Sequence, residues 1–370
     1  MSSNIFETAR LTVRLGAIAA NYRKFRELSG GAIVSGVVKA DGYGCGAVQA
    51  ARTLREAGCD TFFVARLSEG VALRPVVGGA RIFVLDGVQS ETIAAYVSHR
   101  LTPVLNSLAE IELWSAAAKK APTAFDAAIH IDTGMNRLGL GAEDLSALAA
   151  GSKSHLANLN LVLLMSHLAC ADDAAAQMNR NQLARFRAAL AMLPPAPASF
   201  ASSGGVLLGK DYVFDMVRPG IGLYGGNPQG AGKPNKFAVV AQLTGTILQL
   251  RRVDSAGTVG YGATFRIGRK SVLASVALGY ADGLMRAMSN KGAAAIAGHR
   301  APIAGRVSMD LVTLDVTDIP AKLLKIGMPM EFFGDTIALE EAAATAGTAN
   351  YEMLTSLGPR IRRYYVEGAR

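Results

Sequence analysis

The sequence predicts an α/β plus β protein, an N-terminal (β/α)8 TIM-like barrel followed by a C-terminal mainly-β domain. Three observations predict it. From about residue 31 to 222, short apolar runs rich in β-branched residues alternate with helical patterns. Past residue 236 the pattern changes to alternating runs separated by glycines and turns. Between the two, Gln229 to Lys236 is a polar stretch rich in Gly, Pro and Lys without apolar periodicity, which reads as a linker. The expected boundaries are a barrel over residues 10–228 and a β-rich domain over 237–370, with residues 1–9 packing on the second. A chain of 370 residues, 50% of them hydrophobic, is long enough to bury a core in each.

Eight runs carry the first pattern: Ile33 to Val38, Thr61 to Ala65, Arg81 to Leu85, Leu101 to Leu105, Ala127 to Ile131, Leu159 to Met165, Ala198 to Ser202 and Met216 to Ile221. Helical stretches lie between them, among them Ala47 to Ala57, Ser107 to Lys119, Asp144 to Gly151 and Ala174 to Leu193, the last closed by Pro194-Pro195. Such alternation fits a closed barrel, and a doubly wound sheet would show the same local pattern. A barrel puts its chemistry on the loops after the carboxyl ends of its strands. The polar residues fall there: Lys39, Asp132 to Arg137, Ser166-His167, Ser202-Ser203-Gly204, and Arg218 to Ile221. In the second part, Ala238 to Val253, Ser271 to Leu278, Gly292 to Ala297 and Leu311 to Val316 read as strands, with one helical stretch from Leu339 to Ala346.

Lys39 ends the first apolar run and precedes a turn containing Gly42, Gly44 and Gly46. An ammonium at such a site is partly desolvated, which favours the neutral amine, a nucleophile towards aldehydes. Tyr43 follows one helical turn later, close enough in sequence to put a phenol beside whatever Lys39 holds. The residues alone leave open that Lys39 is an ordinary strand-end lysine reaching water.

Composition narrows the function classes. Met1 to Arg14 scatters Glu7, Arg10 and Arg14 among short apolar pieces, so it has no continuous hydrophobic region, and a cytoplasmic location without membrane partners is expected. Cys45, Cys59 and Cys170 are odd in number and widely spaced, which argues against a disulfide framework or a metal site. The net charge of +9 comes from scattered Lys and Arg rather than a basic arm, so no nucleic-acid partner is expected.

Val37-Val38-Lys39-Ala40-Asp41-Gly42-Tyr43-Gly44-Cys45-Gly46 resembles the cofactor-attachment motif of the alanine racemase family, and further matches extend the resemblance over nearly the whole chain. The resemblance implies pyridoxal 5'-phosphate carried by Lys39, and two-base racemisation of L- and D-alanine that supplies D-alanine for peptidoglycan. It implies that Ser203, Gly220, Ile221, Tyr43 and Tyr351 serve the phosphate, that Arg218 faces the pyridine nitrogen, and that His167 lies beside the ring. Arg137, in Asp132-Thr133-Gly134-Met135-Asn136-Arg137, matches the arginine near the substrate carboxylate, a role a guanidinium fork suits. Inversion at Cα needs acid/base groups on opposite faces. Lys39 supplies one, and the resemblance makes Tyr261, in Val259-Gly260-Tyr261-Gly262-Ala263-Thr264-Phe265-Arg266, the other. It further implies a head-to-tail homodimer in which Tyr261 and the Met309 backbone of Arg306-Val307-Ser308-Met309-Asp310 serve the partner's site. Gly279-Tyr280-Ala281-Asp282-Gly283 and Asn350-Tyr351-Glu352 match as well.

Two positions depart from the family pattern. His130 stands where many members carry a lysine modified to a carbamate, and Asn136 where many have glycine. The alternatives are a broader amino-acid racemase and, in a different class, a non-catalytic pyridoxal-phosphate-binding protein. A decarboxylase of the related fold would be expected to set an acid where Arg218 stands.

Overall fold

The computed structural model describes residues 8–254 and 256–368. The chain divides into two compact units: Ala19–Gly42 with Ala47–Leu223, and the residues up to Ile18 with Tyr43–Gly46 and everything from Tyr224 onward. Its first strand, β1 (Ala9–Arg14), belongs to the second unit.

The first unit is a parallel barrel of β2 (Ile33–Val34), β3 (Gly36–Val37), β4 (Thr61–Val64), β5 (Arg81–Val84), β6 (Thr102–Leu105), β7 (Phe125–His130), β8 (Leu159–Met165), β9 (Ala198–Ser202) and β10 (Met216–Arg218). β2 and β3 are two halves of one rung, interrupted at Ser35. The β2 half pairs with β10 and the β3 half with β4, which closes the ring into the eight rungs expected from the apolar runs. Ser35 holds the seam. Its N–H and its Oγ both donate to the Val217 carbonyl, at 3.0 and 2.9 Å. Strands buried on both faces need apolar residues throughout, and Phe62, Phe63, Val64, Ile82, Phe83 and Val84 supply them. Helices join the rungs, as in Leu108–Ala118, where the Ser107 hydroxyl caps the Glu110 N–H, and Gln177–Met192, which ends before the expected proline pair.

In the second unit one sheet runs β16 (His299–Pro302), β15 (Ala293–Ile296), β18 (Pro329–Phe333), β11 (Ala241–Val253), β1 and β19 (Arg362–Val366), with β14 (Ser271–Ala277) also pairing β11 and β17 (Leu311–Asp315) pairing β14. A separate two-stranded ribbon pairs β12 (Thr258–Val259) with β13 (Phe265–Arg266). The helix Leu339–Ala346 lies where the sequence places it. β1 lies antiparallel to β11 and parallel to β19, with Leu11 and Val13 wholly buried. Residues 10–14, expected at the start of the barrel, therefore belong to this sheet. Thr8 continues it by accepting from the Thr246 N–H at 2.8 Å, whereas residues 1–7 lie outside the described residues.

Candidate active site

Lys39 lies two residues past the end of β3, at the carboxyl end of its rung. The chain then turns left-handed: φ is 53° at Ala40, 51° at Asp41, 61° at Gly42, 55° at Tyr43 and 78° at Gly44. For residues other than glycine this conformation costs roughly 1–2 kcal/mol each, so surrounding bonds must hold it. They are present. Gly42 N–H donates to the Val38 carbonyl at 2.9 Å, Asp41 Oδ1 accepts from Ala47 N–H at 2.8 Å, and Glu69 Oε1 accepts from Ala40 N–H at 2.7 Å. Glu69 Oε2 also accepts from Ala65 and Arg66, which ties the Lys39 turn to the end of β4. Gly44 is required twice over, by its φ and because a Cβ would stand 2.4 Å from the Leu354 carbonyl oxygen.

The Lys39 amine is lowered from its ordinary pKa. Burial is the first cause and the Arg137 cation the second, against the opposing pull of Glu69 and Asp86. A larger share of free amine at neutral pH is the consequence.

Arg218 ends β10 with its guanidinium inside the barrel, 5% exposed. Nη1 donates to Ser199 Oγ at 2.6 Å, and Nη2 donates to the Ser166 carbonyl at 2.6 Å and to His167 Nδ1 at 3.3 Å. Burial lowers it, but with these acceptors around it the group remains a cation at neutral pH. A guanidinium only donates, so His167 Nδ1 accepts and its Nε2 carries the hydrogen. Burial first, then Arg218 and Arg137, hold His167 well below the usual histidine range, and it is neutral.

His130, at the end of β7, has the opposite tautomer. Both amide hydrogens of Asn106 go to backbone carbonyls, of Leu85 at 3.1 Å and Val104 at 2.9 Å, so Asn106 Oδ1 accepts from His130 Nδ1 at 2.9 Å. The bare Nε2 leaves a neutral acceptor where many members of the family resembled have an anion. Burial, then the charges of Arg218 and Arg137, push His130 from 6.5 down to about 4. An unfolded histidine gains its proton near 6.5 while the folded one waits until about 4, so stability is lost as pH falls through that window. The loss amounts to roughly 3 kcal/mol at most. His130→Gln is expected to flatten the fall of the urea midpoint across that window, and an unchanged slope would assign the acid sensitivity to another group.

The segment after β7 returns on itself, with Leu140 N–H donating to the His130 carbonyl at 2.8 Å and Asp132 N–H to the Leu140 carbonyl at 3.0 Å. Gly139, with φ at +103°, permits the return, because a Cβ there would stand 3.1 Å from His130 Cγ. Asp132 Oδ1 gathers the N–H groups of Gly134 and Met135, each at 2.8 Å. Asn136 takes φ at 56°, a left-handed conformation that asparagine and glycine adopt more readily than other residues. Arg137 beyond it is exposed, and among the described residues its guanidinium makes no hydrogen bond or ion pair. Ser203 is buried, its Oγ accepting from Gly220 N–H at 2.9 Å and Gly222 N–H at 3.2 Å. With both lone pairs engaged, its hydroxyl hydrogen is the atom left to offer an anion. Ile221 is buried beside them.

Lys39, Arg137, His167, Ser203, Arg218, Gly220 and Ile221 thus lie at the carboxyl ends of the barrel strands or in the loops that follow. The remaining sequence candidates lie in the second unit. Tyr43 is buried and stacks on Tyr224 at 4.9 Å, with the Tyr351 ring tilted against it at 6.2 Å. Burial raises the Tyr43 phenol, which keeps it a donor. Tyr261, 71% exposed, stands on the turn between β12 and β13, and Met309 is 53% exposed. Their segments meet: a Cβ on Gly262 would stand 3.0 Å from the Arg306 guanidinium, and Tyr280 and Ala281 N–H groups donate to the Ser308 and Met309 carbonyls, each at 3.0 Å. Sequence reading missed the supports Glu69, Asn106 and Ser199. Their only signal is a polar residue within or just after an apolar run.

Fold and site together define a barrel enzyme with a further β-rich unit, in which a lysine amine is desolvated at the carboxyl ends of the strands. The alanine racemase N-terminal domain family matches residues 13–228 and the C-terminal domain family residues 240–365. The chain belongs to the alanine racemase family. It is 44% identical to an alanine racemase of Rhizobium meliloti over 98% of each chain, and 45% identical to a catabolic alanine racemase of Agrobacterium fabrum over 97% of this chain and 92% of that one. Among solved structures, an alanine racemase of Bartonella henselae with covalently bound pyridoxal phosphate is similar at TM-score 0.92 and 39% identity, covering 97% of this chain and 99% of that one. The biosynthetic alanine racemase of Pseudomonas aeruginosa gives TM-score 0.91 and 32% identity over 98% of this chain and all 100% of that one.

Proposed function

We propose that this protein racemises alanine, interconverting its L and D forms with pyridoxal 5'-phosphate as cofactor, the D-alanine serving peptidoglycan. The observation that carries this reading is the desolvated Lys39 amine at the barrel mouth, with the Arg218–His167 pair in the same barrel, in a chain of this family. The barrel's own donor set fits the cofactor: a desolvated amine, a hydroxyl directed to an anion and a fixed cation. When bound, the cofactor supplies an electron sink for the pair left on Cα as its proton departs. Lys39 would hold it covalently. Ser203, Ile221, Tyr43 and Tyr351 would hold its phosphate, and Gly220 contributes by fixing Ser203 Oγ. Arg218 would face the ring nitrogen, where a permanent cation opposes a second positive charge and so limits the sink, which discourages transamination. His167 would lie beside the ring.

The free Arg137 fork and the Met309 backbone would hold the substrate carboxylate. Lys39 Nζ moves the Cα proton on one face and Tyr261 Oη on the other. The exposure of Tyr261, Met309, Tyr280, Leu311 and Tyr351 on the second unit fits a head-to-tail homodimer in which each β-rich unit serves the partner's barrel. Among the described residues no helix is long and apolar enough to cross a membrane, which accords with a cytoplasmic enzyme.

The test is incubation of L-alanine, and separately L-serine, in D2O with protein purified with pyridoxal phosphate, followed by chiral chromatography and mass spectrometry of Cα. Deuterated D-alanine should form far faster than D-serine. Comparable serine turnover would establish a broader racemase, and neither exchange nor inversion despite bound cofactor would leave a binding protein.

A further inference from the structure

Gln182 takes no part in the chemistry above, yet it is wholly buried on the inner face of the helix Gln177–Met192. Its amide joins two loops of the site. Nε2 donates to Thr133 Oγ1 at 3.1 Å and to the His167 carbonyl at 2.9 Å, while Oε1 accepts from the Ala169 N–H at 2.9 Å. The backbone partners settle which end of the amide is which, since a carbonyl only accepts and an N–H only donates. The Thr133 hydroxyl also shares a hydrogen bond with Ser166 Oγ at 2.8 Å, and the Ser166 carbonyl accepts from Arg218. Arg185 Nη1 donates to the Thr133 carbonyl at 3.0 Å from the same helix. Thr133 directly follows Asp132, whose carboxylate gathers the turn that leads to Arg137.

We propose that Gln182 is a positioning residue for the substrate. It fastens the base of the Thr133 loop, and with it Arg137, to the His167–Ala169 segment, so that the carboxylate-binding group and the ring-side histidine keep one spacing. This rests on the racemase reading. Arg137 has no hydrogen bond of its own among the described residues, so its place is set by the base of its loop. A fully satisfied buried network is a rigid base.

Gln182→Leu removes all three bonds at similar volume. It is expected to raise KM for both alanine enantiomers roughly tenfold with kcat little changed, the size of a binding loss worth one decade. Cofactor should remain bound, and hydrogen-exchange mass spectrometry should show lost protection in the peptides containing Ala169 and Gly134 to Asn136. Gln182→Glu makes the argument sharper. Its protonated carboxyl has one donor and one acceptor and can replace the amide between His167 and Ala169, whereas the ionised form has nothing to donate to the His167 carbonyl. Burial raises a carboxyl pKa. The KM of this variant should therefore approach that of wild type at low pH and climb as pH rises, a dependence absent from wild type and from Gln182→Leu.

A packing role would lower the melting temperature and leave the pH profile of KM alone. A pH-independent ratio of KM between Gln182→Glu and wild type, or a fall in kcat at unchanged KM, overturns the proposal, and if Gln182→Leu does not fold, Gln182→Glu decides alone. Wild-type protein inactive on alanine would defeat the racemase reading, with hydrogen exchange still deciding the clamp. An active wild type with unmoved variants would defeat this inference only.

Discussion

Lys39→Ala is expected to lose alanine racemisation by on the order of 10^4-fold or more, because both roles proposed for that side chain, cofactor attachment and proton transfer, would go with it. The left-handed turn after it is held by Glu69, Asp41 and the Val38 carbonyl, none of which needs the amine, so the fold should survive. The visible absorbance of covalently held cofactor should vanish in the same variant. Added methylamine, small enough to enter the vacated space, should return part of the proton transfer. A variant that keeps more than about a tenth of wild-type activity would remove Lys39 from the chemistry, and one that keeps the absorbance would remove it from attachment.

Tyr261→Phe separates the two faces of Cα. General acid–base groups contribute about 10^2 to 10^4-fold, and racemisation should fall by that order with cofactor binding intact. Mirror-image substrates have an equilibrium constant of one, so kcat/KM must fall equally in both directions whichever base is lost. The asymmetry shows in exchange: in D2O one enantiomer should still wash deuterium into Cα through Lys39 without inverting, and the other should not. Undiminished racemisation, or equal exchange of both enantiomers, would end the two-base assignment. Because Tyr261 stands exposed on a turn framed by Gly260 and Gly262, its replacement leaves the buried cores untouched.

The barrel was legible because its strands are largely buried on both faces, which makes each of the eight runs mainly apolar. The break at Ser35 was not, since a serine inside such a run gives no sign that its two halves pair with different neighbours. Residues 10–14 were assigned to the barrel because a local pattern does not say which sheet a segment joins, and the partners of β1 begin beyond the barrel. The edge strands His299–Pro302 and Arg362–Val366 escaped notice because their burial alternates weakly. In the candidate site, Lys39, Arg137, His167 and Arg218 were proposed by motif. Ala40, Asp41 and Tyr43 carry no mark of positive φ, which tertiary hydrogen bonds impose on them. Gln182 did leave a trace, a polar residue on the stripe that buries Leu183, Phe186 and Ala189, but only the structure shows what it holds.

β1 is synthesised first and completed last. It lies inside the second sheet between β11 and β19, so the whole barrel must leave the ribosome before either edge of β1 finds its neighbour. At about 5–20 residues per second, that wait is on the order of ten seconds or more. During it Leu11 and Val13 face water on a strand with both edges open, the condition under which nascent chains associate wrongly. β1 is therefore a stretch of this chain that gains from a chaperone, and help there would raise the yield of folded protein without altering the stability of the product.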